Sequence, residues 1–310
     1  MTGPGSSCTA APNLIVILGP TASGKTRLAV AAARRLGGEI ISADSRQVFR
    51  RMDIGTGKDL EEYGAVPYHL IDILEPGEEF SVFAFLGQFS AAFNDITSRG
   101  RLPFLVGGTG LYLDAVLRGY RMVHAPENPE LRRELETLSL ESLQERLFGL
   151  NPLLHNTTDL LDRERLVRAI EIAILEAGGG GEAVVLPELR PLVFGMKLER
   201  DLLRRRITER LKARLQGGMI DEVRHLLEIG VTPERLDYYG LEYRYISRYL
   251  GGALNRNDMF QKLNAAIHDF AKKQENWFRR MEKHGVKIIW LDVAGDPLTQ
   301  LMEEAARRVI

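Results

Sequence analysis

The sequence predicts an α/β fold in three layers, with a parallel sheet and an inserted all-helical subdomain. Three observations predict it. A short apolar strand, a glycine loop and a helix start follow one another at 14–36. Strand-like runs then alternate with helical periods to about residue 120, the pattern of helices packed on a parallel sheet. That alternation stops at about 123 and returns near 191.

Leu14–Leu18 are all apolar and read as a buried strand. Gly19, Pro20, Thr21, Ala22, Ser23, Gly24, Lys25 and Thr26 then complete G-x-x-x-x-G-K-[ST], and a helical period runs over 27–36. Strand, loop and helix come in the order a phosphate-binding loop requires, which makes the core P-loop NTPase-like. The glycines let successive N–H groups converge on an anion. The helix N-terminus adds its dipole. Lys25 supplies a point charge, and the Thr26 hydroxyl is a candidate Mg²⁺ ligand. The loop implies a diphosphate or larger and does not name a reaction.

A second strand at 39–42 delivers Asp44 at its carboxyl end, where ligands bind in open α/β sheets. Asp44 either sits beside the phosphate loop or caps the next helix. The loop MDIGTGKD at 52–59 reads more readily as a solvated turn than as a site. A third strand-like run, YHLIDI at 68–73, ends near Asp72, a position open to a Walker-B type Mg²⁺ ligand. His69 has no second ligand at a metal spacing and reads as a packed histidine. A helical period follows at 80–98, then a buried strand at 103–106, then Gly107-Gly108-Thr109-Gly110 opening a helix at 111–118. This second glycine loop fits either a close backbone approach to a ligand or a tight turn.

Two amphipathic helices are expected at 129–148 and 158–176, separated by the break signal Asn151-Pro152. Arg165 and Arg168 share a helix face in the second. Four glycines at 178–181 lead out. A return strand at 192–198 precedes a basic helix at 200–216, a helix at 219–228, a tyrosine-rich segment from Tyr238, a long helix at 264–280, a last strand at 287–291 and a terminal helix. Basic residues with Trp277 and Phe278 among them suit RNA phosphates and bases, but taken alone they read more readily as a surface helix with a core-facing Trp277. The expected division is a flexible leader at 1–13, the first part of the core at 14–122, the helical insertion at 123–190 and the second part of the core at 191–310.

Composition bounds the partners. The 310 residues are 45% apolar and 27% charged, ordinary for a soluble globular chain. With 41 basic and 42 acidic residues the net charge is −1, so any nucleic-acid contact must come from a local basic patch. Cys8 is the only cysteine, which fits a reducing compartment. No apolar run reaches a membrane span, and the first residues lack a signal-peptide pattern. The expectation is a cytoplasmic protein with no membrane contact, working as a monomer.

Several strings together resemble one family, the tRNA dimethylallyltransferases. They are GPTASGKT at 19–26, ISADSRQVFRRMDIGTGKD at 41–59, YHLIDI at 68–73, VGGTGLY at 106–112, RLVRA at 165–169 and FAKKQENWFRR at 270–280. A P-loop alone is generic; this series, in this order and across most of the chain, is specific. The resemblance implies transfer of a dimethylallyl group from dimethylallyl diphosphate to N6 of adenine 37, beside a tRNA anticodon. It implies that the P-loop and Mg²⁺ hold the leaving diphosphate and that Asp44 is the general base. It carries tRNA contacts onto Asp44, Ser45, Arg46, Gln47, Thr109, Arg165 and Arg168, and implies an insertion that grips the anticodon stem-loop. The chain departs from the family's frequent G-Y-K-E string, with Gly240-Leu241-Glu242-Tyr243-Arg244 instead, which leaves Arg235 and Arg244 as alternative replacement cations. Two other readings are an adenylate isopentenyltransferase acting on free AMP, ADP or ATP, and a P-loop kinase of a small metabolite.

Overall fold

The structure is a computed structural model and describes residues 11–123, 125–150, 160–181 and 183–309. Its contacts divide into two compact units. One runs to Gly119 and resumes at Leu186; the other spans Tyr120–Val185. The second unit thus starts three residues and ends five residues before the limits expected from sequence.

The first unit is built on six strands in the order β3-β2-β4-β1-β5-β6, with every pairing parallel. They are β1 (Leu14–Leu18), β2 (Gly38–Ala43), β3 (Tyr68–His69), β4 (Leu102–Gly107), β5 (Pro191–Lys197) and β6 (Ile288–Asp292). All of β1 is buried, as expected for a strand covered on both faces. The register sets Leu18 level with Gly107, and Gly107 level with Ala43. The segments that leave β1, β4 and β2 therefore emerge side by side at one edge of the sheet. Ile15, Ile17, Ile40, Phe104 and Phe194 pack beneath α1 (Lys25–Leu36), forming the main core.

The 68–73 run is not a full strand. Leu70 and Asp72 take positive φ (62° and 56°), and pairing with β2 ends at His69. The backbone from Asp72 to Leu74 bonds the turn after β2 instead: Asp72 N–H to Gln47 O, Ile73 N–H and Leu74 N–H to Val48 O. The Asp72 carboxylate takes the Lys58 ammonium, which removes it from a Walker-B position. His69 is bonded to Glu39 (2.9 Å), which Arg99 also grips.

Two further helices complete this half: α2 (Val82–Ser98), capped by Ser81 Oγ on the Ala84 N–H, and α3 (Gly110–Leu117). In the second unit, α4 (Pro129–Glu136) and α5 (Leu140–Leu150) replace the single helix expected at 129–148. The break falls where Ser139 Oγ accepts from Ser142 N–H and restarts the helix. Then comes α6 (Arg163–Ala177), opened by Asp162 accepting from Arg165 N–H. The expected break at 151–152 and the first residues of the expected helix at 158–176 lie outside the described residues. Leu135, Leu143, Leu147, Leu166 and Ile170 form this unit's own core.

The first unit resumes with α7 (Arg200–Gln216), α8 (Met219–Glu228), α9 (Pro233–Tyr239), α10 (Leu241–Leu250), α11 (Arg256–Lys283) and α12 (Pro297–Val309). The tyrosine-rich segment is the α9–α10 pair, broken at Gly240, whose φ of 139° favours glycine. The long helix α11 begins eight residues earlier than expected, because Asn255 caps Asp258 N–H. No described helix is long and apolar enough to cross a membrane.

Candidate active site

One cavity of about 650 Å³ opens over the carboxyl ends of β1, β2 and β4. Its walls come from the glycine loop after β1, the 44–47 turn after β2, the second glycine loop after β4, the 55–59 loop, and helices α7, α9, α10 and α11. All of these belong to the first unit.

The P-loop contributes Thr21, Ala22, Gly24, Lys25 and Thr26 to the lining. Gly24 has φ 88° and caps α1, so the helix N-terminus opens into the cavity. Gly19, Pro20 and Ser23 are not in the lining. A Cβ on Gly19 would meet Ser23 Oγ at 2.7 Å and Met196 Cβ at 2.9 Å, so only glycine turns the chain there. The buried Ser23 Oγ has no protein partner.

Arg210 of α7 donates to Thr21 Oγ1, which brings a guanidinium onto the P-loop. Arg206, Arg210 and Arg214, four residues apart, line the cavity from one face of that helix. Arg214 is also held by Asp59 (3.2 Å). Burial, above all, pushes the Lys25 ammonium down to about 8; Asp44 works against this, and Arg210 and Arg214 add to it. Burial likewise lowers the Arg210 guanidinium to about 10, with Arg214 adding to it. Burial raises the Glu242 carboxyl, with Arg214 and Arg210 opposing. A crowded set of cations in a desolvated space favours the binding of an anion.

Asp44 lines the cavity, and its Oδ1 accepts the Arg46 N–H at 2.9 Å. No helix follows for Asp44 to cap: it closes a turn, and it lines the cavity beside the phosphate loop. Ser45 N–H donates to Thr109 Oγ1 (3.1 Å), and Thr109 N–H to Ala43 O (3.2 Å), which locks the second glycine loop to the Asp44 turn. Gln47 lines the cavity too, but its amide is committed inside the protein, accepting from Ser42 Oγ and donating to Gly57 O. Arg46 lies over the Tyr238 ring, 4.8 Å from its centroid.

The 52–59 loop is not a solvated turn. Lys58 is buried, donating to Phe49 O, Asp53 and Asp72. The Glu222 carboxylate accepts the Asp53, Ile54 and Gly55 N–H groups (2.8, 2.7 and 3.0 Å) and the Tyr243 hydroxyl. Gly55, Thr56, Gly57 and Asp59 face the cavity as a result.

Gln274 of α11 was not singled out from sequence and is the main tie in the site. Its Oε1 accepts Thr21 N–H and its Nε2 donates to Gly108 O, both at 2.8 Å. One buried amide thus joins the P-loop to the second glycine loop. The glycines of that loop allow close packing against protein: a Cβ on Gly110 would lie 2.3 Å from Trp277 Cγ. Among the two cations left open by the sequence, Arg244 lines the cavity and is bonded to Asp237 O, whereas Arg235 lies by Glu79 outside it.

Arg165 and Arg168 lie on α6 of the second unit. Arg165 is exposed, with Asp162 3.8 Å away. Arg168 bonds Glu171 (2.9 Å) and Ala125 O.

Among the described residues, no three His, Cys, Asp or Glu side chains come together to hold a metal. A divalent cation here would depend on Thr26, which lines the cavity, and on oxygens of a bound phosphate. That donor set fits Mg²⁺, which keeps waters and binds through one or two protein oxygens and substrate phosphates.

Comparison with known proteins gives a consistent result. The pattern that defines the IPP transferase family matches residues 47–281, and that of the isopentenyl transferases matches 12–63. The chain is 69% identical over 290 residues to tRNA dimethylallyltransferase 2 of Syntrophotalea carbinolica, covering 94% of this chain and 97% of the relative. It is 66% identical to tRNA dimethylallyltransferase 1 of Geotalea uraniireducens, covering 94% and 96%. Among solved structures, the tRNA isopentenylpyrophosphate transferase of Bacillus halodurans superimposes with a TM-score of 0.70 at 34% identity, over 96% of this chain and 95% of the other.

Proposed function

The chain belongs to the tRNA dimethylallyltransferase (IPP transferase) family, and from that premise we propose that it prenylates N6 of adenine 37 in the tRNA anticodon loop, using dimethylallyl diphosphate. One observation carries the reading: a single cavity holds the P-loop lysine, a desolvated arginine and Asp44 together.

The donor's diphosphate lies against the α1 N-terminus, Lys25, Arg210 and the Thr21 and Thr26 hydroxyls. These groups stabilise the charge that grows on the bridging oxygen as the allylic C–O bond breaks. Thr26, together with the diphosphate oxygens, would hold an Mg²⁺ ion, which would add to the neutralisation of the leaving group. The acceptor's exocyclic amine is a weak nucleophile, because its lone pair is delocalised into the ring. Asp44 accepts an N6 proton as the C–N bond forms. The products are N6-prenylated tRNA and diphosphate. The Arg46 N–H bond to Asp44 Oδ1 and the Ser45–Thr109 bond fix the carboxylate's turn, which leaves Oδ2 for the substrate. The target base must leave its stack to arrive there, at a cost of a few kcal/mol. Ser45, Arg46, Gln47 and Thr109 belong to the acceptor side of the cavity in this reading, and Arg165 and Arg168 to the grip of the helical insertion on the anticodon stem. The enzyme acts as a monomer in the cytoplasm.

The test uses labelled dimethylallyl diphosphate with Mg²⁺ and two acceptors, unmodified tRNA and AMP, followed by digestion and identification of the labelled nucleoside. Label at adenine 37 of tRNA alone is the expected result. Label in AMP makes the enzyme an adenylate isopentenyltransferase. Label in neither, with phosphoryl transfer from ATP, makes it a kinase.

A further inference from the structure

The established family activity does not account for Tyr238. This residue is the last but one of α9, two before the Gly240 break, and lines the cavity. Its neighbour Tyr239 is fully buried, stacked edge-on against Phe49, with Gly77 N–H donating to its hydroxyl. That anchor fixes the backbone and turns the next ring outward. Tyr238 is 45% exposed. The Arg46 guanidinium covers it at 4.8 Å, and Tyr239 meets it edge-on at 5.7 Å. A phenol ring pinned by a cation and a second ring, with nearly half its surface open, is rigid and ready to stack.

The occupant follows from the surroundings. Arg46 sits on the same turn as Asp44, so the ring stands at the acceptor side of the site. Arg206 and Lys273 also line the cavity. Cations interleaved with an exposed ring suit an RNA strand, with phosphates on the cations and a base on the ring. We propose that Tyr238 is a stacking platform for an unpaired tRNA base that neighbours the one entering the cavity. The proposal rests on the acceptor being tRNA. It assigns Tyr238 to holding the loop open once the target base has left its stack, since the neighbour left behind loses a stacking partner that the ring replaces.

The experiment compares full-length wild type, Tyr238→Phe and Tyr238→Leu. Each binds an anticodon stem-loop carrying 2-aminopurine on one or the other side of the target adenine, without donor. Stacking quenches 2-aminopurine fluorescence. Wild type and Tyr238→Phe are expected to quench one of the two positions, and Tyr238→Leu to lose that quenching. In steady-state assays Tyr238→Leu should raise the KM for tRNA by about 5- to 150-fold, the range for one stacked base, with the KM for dimethylallyl diphosphate unchanged. Quenching equal in all three proteins, or absent from wild type at both positions, overturns the proposal. So does a loss in Tyr238→Phe equal to that in Tyr238→Leu, which would assign the role to the hydroxyl. The binding readout needs no prenyl transfer, so its failure is distinct from failure of the proposed reaction.

Discussion

Lys25 shows at the scale of one residue how the fold prepares a site for an anion. Its ammonium is desolvated and faces Arg210 and Arg214, and its pKa falls to about 8. A bound diphosphate favours the charged form and raises that value again. The protonated enzyme is therefore the form that binds donor well, and affinity falls as pH rises through about 8. The dissociation constant for dimethylallyl diphosphate should rise by up to about tenfold per pH unit above that point. In Lys25→Ala it should be weaker throughout and lack this inflection. Calorimetry between pH 6.5 and 9.5 checks both, and a flat wild-type curve would remove Lys25 from the anion site. The lysine itself was legible in the sequence, because the G-x-x-x-x-G-K-[ST] spacing has one physical use. Its altered acidity was not, because it comes first from burial and then from Arg210 and Arg214 on α7, both set by segments distant in the chain.

At the scale of elements, the strands and most helix ends were readable from apolar runs and punctuation, as β1, β4 and α7 show. The exceptions share a cause, which is long-range pairing that overrides a local pattern. YHLIDI looked like a strand until Lys58 and the turn after β2 claimed Asp72 and its neighbours. Arg206, Arg210 and Arg214 were visible as a basic helix, and their four-residue spacing was the available signal that one face points inward. Gln274 carried no signal in isolation, since a single amide in a charged helix is ordinary. Gln274→Leu should leave Thr21 N–H and Gly108 O without partners, a cost of about 1–3 kcal/mol each if no water replaces the amide. Because both loops loosen, the KM values for donor and for tRNA should rise together. A rise in only one of them would show that the two loops are not coupled through α11.

A second tie at this scale holds α4 to α6. The Glu171 carboxylate is buried, which works to raise its pKa, but the Arg132 hydrogen bonds, the Asn128 N–H and Arg168 outweigh burial and bring it to about 2. The folded unit resists protonation that the unfolded chain accepts near 4.5. This stabilisation is complete above about pH 4.5 and is lost as pH falls toward 2. Urea unfolding of wild type and Glu171→Gln should differ most near neutrality, with the gap narrowing between pH 4.5 and 2. A constant gap across that range would mean the pair contributes nothing through charge.

At the scale of the whole molecule, the sheet order brings together in one cavity the segments that the proposed reaction assigns to its two substrates. Placing β4 between β2 and β1 sets the acceptor-side turn, the second glycine loop and the phosphate loop in a row, and α7 and α11 close over them. In the proposed reaction the donor anion and the Asp44 carboxylate then meet within one compact unit. This arrangement makes the role of Asp44 the central claim. The measurement that tests it most directly is the single-turnover rate of prenyl transfer by Asp44→Asn, with donor and tRNA both saturating and both dissociation constants measured alongside. The expected result is a rate about 10²–10⁴-fold below wild type, with both substrates bound nearly as well as before. A wild-type rate in Asp44→Asn would contradict the account, because the cavity would then perform its chemistry without the carboxylate placed at its centre.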